Sequence, residues 1–186
     1  MTTSPIKNYY KNLIIFDLIA KLNIINIYKI PKIKKINLNI TCKNKYIKKE
    51  KLIYILLFLN LITNQKPFLK NNKLKQKITL NIKKNKVIGC KITLQKQSIN
   101  FFLEKLIFFI LPKIKNIKFN YKKIKNIFNF KIINLFNFFE FKNEFFKFKD
   151  LTFLTLDVTI QTNCENSRQL FLLLNYFFFN KIAKIT

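Results

Sequence analysis

The chain has no histidine, no tryptophan, one glycine and eight acidic residues among 186. Each shortage removes a class of function. Without histidine there is no ordinary general base near neutral pH and no imidazole for zinc. A single glycine, Gly89, leaves no glycine-rich loop to cradle a phosphate, and no nucleophile–base pair can be recognised. Glu140 and Glu144 stand four residues apart, but a lone carboxylate pair does not make an enzyme. The three cysteines, Cys42, Cys90 and Cys164, lie far apart, with no Cys-x-x-Cys pair among them. An odd, scattered set argues against both a disulfide framework and a metal site, and reads as small buried apolar residues in a reducing compartment. Neither a catalytic nor a metal role is expected, and no cofactor.

Long apolar runs are missing too. The longest, near Leu52–Thr63, Phe101–Leu111 and Leu170–Phe179, fall short of the roughly 18–20 residues that a membrane span needs. Asp17 interrupts the apolar run near the N-terminus, where no secretory cleavage pattern follows. The arginine-rich, serine-rich composition of a transit peptide is also missing there, so an organelle protein of this kind is expected to be made inside its organelle.

What is abundant is lysine and phenylalanine. Thirty-six basic residues against eight acidic ones give a formal charge of +28, while 49% of the residues are hydrophobic. The chain can therefore build a core, yet its self-repulsion calls for a polyanion beside it. Nucleic acid suits this best, because each lysine on a phosphate releases condensed counterions. An anionic membrane surface is the competing partner. Lysine outnumbers the one arginine, Arg168, by 35 to 1, a bias that no folding requirement imposes. It reads as the mark of an A/T-rich coding genome, most naturally that of an organelle.

Periodicity gives an α+β outline. Tyr9, Leu13, Phe16 and Ala20 fall at helical spacing within an N-terminal helix over residues 5–24. From Ile36 to Ile40 apolar and polar residues alternate as in a strand with one wet face carrying Asn37 and Asn39, preceded by Lys34 and Lys35. Lys48–Ile62 reads as a buried helix ending at Asn64, which tolerates left-handed geometry. Ile78–Ile82 and Val87–Leu94 alternate on either side of Lys83-Lys84-Asn85-Lys86, predicting a projecting β-hairpin with a cationic tip. Ser98 is placed as the N-cap of a helix over Ile99–Leu111, closed by Pro112. Leu154–Thr162 predicts a strand, and Asn166 with Gln169 forms a capping box for a last helix, Ser167–Phe177. Residues 127–148 are too crowded with phenylalanine to parse. There, Phe128, Phe130, Phe136, Phe138 and Phe139 are expected to pack in the core or against another protein rather than stack on bases. The expected architecture is one domain over residues 1–186. It consists of the N-terminal helix and a body over 29–186, in which a mainly antiparallel sheet packs against helices.

Five stretches carry a family resemblance. They are "KIPKIKKINLNI" (Lys29–Ile40), "LITNQKP" (Leu61–Pro67), "VIGCKITL" (Val87–Leu94), "FFLEKLIFFILPKIKN" (Phe101–Asn116) and "LDVTIQT" (Leu156–Thr162). In order and spacing they resemble the motifs of the universal large-subunit ribosomal protein "L-five" family. The only glycine stands at that family's Ile-Gly-Cys position. Family arginines are replaced by Lys32, Lys105, Lys113 and Lys115, which keep the charge but lose the bidentate fork. Family glycines are replaced by Asn64 and Asn85, both compatible with positive φ.

The resemblance implies a structural constituent of the large ribosomal subunit, seated in the central protuberance of a mitochondrial ribosome in the matrix. Implied partners are large-subunit rRNA, a 5S rRNA where the ribosome has one, the peptidyl-site tRNA, and neighbouring proteins including one of the small-subunit head. The implied rRNA-binding residues are Lys32, Lys34, Lys35, Asn37, Asn39, Gln65, Lys66, Lys70 and Lys73. The loop implied to face tRNA is Lys83, Lys84, Asn85 and Lys86. The alternatives are a cationic membrane-associated protein, or another RNA-binding protein of an organelle. The period-two strands speak against sustained helical amphipathicity, and so against the membrane.

Overall fold

The computed structural model describes residues 4–41, 49–71, 87–113, 119–120, 127–141 and 154–179. They form an α+β fold around a six-stranded sheet ordered β2-β3-β1-β6-β5-β4. The strands are β1 (Ile33–Thr41), β2 (Phe68–Asn71), β3 (Val87–Leu94), β4 (Phe119–Asn120), β5 (Ile127–Ile132) and β6 (Leu156–Thr162). The chain clusters into two compact units. The first comprises Met1–Asn37, Thr93–Lys131 and Val158–Thr186, and the second comprises Leu38–Ile92 and Ile132–Asp157.

In the first unit the N-terminal helix begins behind Ser4, whose hydroxyl accepts from the Lys7 amide, with Pro5 at the first helical position. It runs as α1 (Pro5–Tyr9), a π-helical stretch Tyr10–Ile14, and α2 (Ile15–Leu22). Asn23 ends it in the left-handed region at φ 49°. The helix thus starts where expected and ends two residues short of the expected limit, at Leu22. Ile6, Ile14 and Leu18 are its buried face. It packs on α4 (Gln97–Glu104) and on α5 (Ser167–Leu174).

Two caps differ from expectation. The residue before α4 is Lys96, not Ser98, which lies inside the first turn with its amide bonded to the Gln95 carbonyl. Beyond Glu104 the helix widens to π over Lys105–Ile110, and a 3-10 turn carries it through Pro112 to Lys113. Before α5, Asn166 makes no side-chain cap. Gln169 instead accepts the Glu165 amide at 2.9 Å, one residue upstream of the expected box.

In the second unit, α3 (Lys49–Thr63) buries Ile55, Phe58, Leu59 and Ile62. Phe58 packs edge-on against Phe138 at 5.6 Å and tilted against Phe141 at 4.4 Å. Asn64, at φ 52°, closes α3 in left-handed geometry, its amide donating to the Asn60 carbonyl at 2.7 Å. Over its described residues, 127–141, the phenylalanine-rich region resolves into β5, nearly all of it in the first unit, and two 3-10 turns, Leu135–Asn137 and Phe139–Phe141. Phe128, Phe130 and Phe138 are buried and Phe136 is half-buried, whereas Phe139 is 61% exposed and does not enter the core. Its neighbours Phe138 and Phe141 take the inward positions of that tight turn.

β2 and β3 pair antiparallel, with Phe68 opposite Lys91 and Lys70 opposite Gly89; a bulge then sets Asn71 opposite Val87. Gly89 has a steric cause: a Cβ there would run into the carbonyl oxygen of Ile40. Cys90 and Cys164 are buried and in no disulfide; Cys42 lies outside the described residues. The strand over residues 78–82 and the hairpin tip also lie outside them. No helix among the described residues is long and apolar enough to cross a membrane.

Candidate nucleic-acid interface

β1 starts three residues before the alternation becomes legible, because an asparagine holds its entry. Asn163, just after β6, donates its amide to the Ile30 carbonyl (2.9 Å) and accepts the Lys32 amide (2.6 Å). Its own backbone amide donates to the Lys32 carbonyl (3.2 Å). Three bonds thereby fix the Ile30-Pro31-Lys32 segment. Tyr10 adds a fourth, its hydroxyl donating to the Pro31 carbonyl at 2.7 Å. Burial, with a smaller contribution from the nearby Cys164, pushes the Tyr10 phenol up to about 12, so it remains a donor at neutral pH. Neither Asn163 nor Tyr10 was marked by sequence reasoning, since a lone asparagine after a strand carries no pattern of its own.

The alternation of β1 sorts the candidate residues onto two faces. Ile36, Leu38 and Ile40 are fully buried, while Lys35, Asn37 and Asn39 occupy the half-buried opposite side. Lys34 shares parity with the buried set but sits at the open end of the strand, exposed, as is Lys32. Lys32 and Lys34 instead line a cavity with Lys7 and Lys96. The basic run of the sequence is therefore two surfaces and not one.

On the polar side, the Asn39 side-chain oxygen is buried without a hydrogen-bond partner among the described residues. On β5, Asn129 holds its side-chain oxygen in the same condition. Each such acceptor costs about 1–3 kcal/mol while unmatched, a cost that an incoming donor removes. On β3, Lys91 and Thr93 are exposed at the outward positions of the alternation. These two were missed as candidates, although period two in "VIGCKITL" points to them.

In the second unit, Gln65 follows the end of α3, where Thr63 donates its hydroxyl to the Leu59 carbonyl and accepts the Gln65 amide. Gln65 is half-buried, Lys66 exposed, and Lys70 half-buried on β2. Lys73 and the loop residues Lys83, Lys84, Asn85 and Lys86 lie outside the described residues.

No family model matches the chain. Among curated proteins, large ribosomal subunit protein uL5m of Reclinomonas americana is 38% identical over 114 residues, covering 61% of this chain and 62% of that protein. Large ribosomal subunit protein uL5 of Buchnera aphidicola subsp. Cinara cedri is 37% identical over 110 residues, 59% of this chain and 61% of that protein. That of Blochmanniella floridana is 27% identical over 182 residues, 95% of this chain and 92% of that protein. The matches to the first two span about three fifths of the relative's length. The third carries the likeness along almost the whole chain. With the five motifs in order and the glycine held where a side chain has no room, the chain is similar to the uL5 large-subunit ribosomal proteins.

Proposed function

We propose that the protein is a structural constituent of the large ribosomal subunit that holds rRNA, and that it performs no catalysis. The observation that carries this is β1: a strand with a fully buried face and a polar face of Lys35, Asn37 and Asn39, pinned at its entry by Asn163. Lysines hold phosphates without regard to sequence, while asparagine amides reach 2′-hydroxyls or base edges in a shallow groove. Gln65, Lys66, Lys70 and Lys73 extend the contact. The rRNA is that of the large subunit, together with a 5S rRNA where the ribosome has one.

The name uL5m of the first relative and the A/T-rich residue usage together favour a mitochondrial ribosome, with the protein encoded and made in the matrix. Lys83, Lys84, Asn85 and Lys86 are assigned to transient contact with the peptidyl-site tRNA, since mobile point charges suit a contact that forms and breaks. Contact with the small-subunit head is part of the same reading.

Sedimentation tests it. The protein is expected in the large-subunit fraction, with ultraviolet cross-links from peptide 32–39 to rRNA. A monomer confined to the top of the gradient overturns the proposal.

A further inference from the structure

A cavity of about 410 Å³ opens in the first unit, among the N-terminal helix, the start of β1, the start of α4 and the segment after α5. Its volume is in the ~300–1,000 Å³ range of ligand pockets. The floor is apolar: Ile99 and Leu103 are buried there, and the Tyr10 ring stacks on Phe177 at 6.1 Å with planes 8° apart. The rim is cationic, with Lys7, Lys32, Lys34 and Lys96, and among the described residues no carboxylate belongs to the lining. Asn100 supplies the one amide side chain.

Four ammonium groups around one opening repel each other, so the rim favours an anion. The floor is wrong for a bare anion, which gains nothing from aromatic and aliphatic walls. It is equally wrong for duplex RNA, whose bases are hidden in the stack. One ligand offers both surfaces: a nucleotide pulled out of its stack, with a flat base and a phosphate on either side.

The backbone at Lys96 supports the same reading independently. Three described non-glycine residues have positive φ, and two of them, Asn23 and Asn64, are of the type that tolerates it. The third is Lys96, at φ 52° and ψ −121°, a conformation that an unbranched cation does nothing to ease. Strain of this kind persists where the side chain it presents is used.

We propose that this cavity seats one unstacked nucleotide of RNA. The base enters over Tyr10, Phe177 and Leu103, Asn100 reads a base edge, and the flanking phosphates rest on the four lysines. The inference rests on the RNA-binding reading above, but it concerns a surface other than the Lys35–Asn39 face of β1.

The test uses the full chain and two RNA hairpins, one fully paired and one with a single bulged 5-iodouridine. The bulged hairpin is expected to bind about tenfold tighter, the size of one base–aromatic stack. On irradiation it should cross-link to Tyr10 or Phe177. The double variant Lys7→Ser, Lys96→Ser is expected to abolish the tenfold preference while still binding the paired hairpin. Equal affinity for both hairpins, or cross-links only outside the cavity, overturns the cavity assignment and leaves the proposed function standing. Failure to bind either hairpin at low salt removes the proposed function and the cavity assignment with it. Saturation of the cavity by micromolar uridine monophosphate, displacing the bulged hairpin, overturns RNA as its occupant in favour of a free nucleotide.

Discussion

At Gly89 the peptide chain of β3 runs so close to Ile40 that a methyl group would meet a carbonyl oxygen, and backbone cannot swing aside as a side-chain tip can. Gly89→Ala should therefore cost about 1–3 kcal/mol, as overpacking does, read as a lower denaturant midpoint at unchanged slope. The sequence displays the glycine as an isolated survivor of the family motif; only the strand geometry supplies its cause. Tyr10 gives a residue-scale prediction with a sign. Its phenol is raised in the folded state from 10.0 to about 12, mainly by burial. The neutral form is thus favoured by folding: the stabilisation is fully present below pH 10 and is lost as pH rises through about 12. Tyr10→Phe should flatten that alkaline decline in a denaturation series from pH 9 to 12. An identical decline in both proteins would count against this assignment. Asn64 was legible from its residue type, because few side chains besides glycine accept φ 52° after a helix. Lys96 was not, since lysine gives no hint of positive φ.

The elements divide in the same way. β1, β3 and β6 were readable because one face of each is buried, so period two is imposed along the strand. The interior turns of the helices were not. Tyr10–Ile14, Lys105–Ile110 and Asn175–Phe179 are π-helical, a widening that leaves the apolar spacing nearly unchanged. Residues 127–148 defeated pattern reading because phenylalanine stands both inside, as Phe130 and Phe138, and outside, as Phe139. At this scale the candidate site was legible as a basic strand but not as two surfaces. Lys32 and Lys34 turn to the cavity, whereas Lys35 joins Asn37 and Asn39. Changing Lys32, Lys34 and Lys35 together to Ser removes charge from both surfaces, and should reduce incorporation into large subunits in a pulse-labelled gradient. Replacing Lys83, Lys84 and Lys86 with Ser should leave incorporation unchanged, because surface changes usually alter stability within about 0.5 kcal/mol. The second variant should instead weaken tRNA retention in the peptidyl site. The opposite pairing of outcomes, with the strand variant assembling and the loop variant failing, would reverse these roles.

For the whole molecule, the governing quantity is +28 on 186 residues. Charge of one sign at this density opposes compaction unless a polyanion shares the surface, and that surface also carries large apolar groups. Ile27 and Tyr28 are 76% and 89% exposed between the N-terminal helix and β1, and Ile25 fully so. The free protein should accordingly be poorly soluble at low salt without RNA. Salt separates the two ways in which such a molecule can be anchored. If lysines on about 6–10 phosphates provide the affinity, counterion release makes binding fall by roughly 10³–10⁵ between 50 and 200 mM salt. If contacts between the apolar patches and neighbouring proteins provide it, the dependence is shallow, because burial of apolar surface weakens little over that range. Filter binding of the full chain to large-subunit rRNA across that salt series should give the steep line. Its slope should drop by about two charges in the Lys7→Ser, Lys96→Ser variant. A flat line in the unmodified protein would move the anchor from RNA to protein.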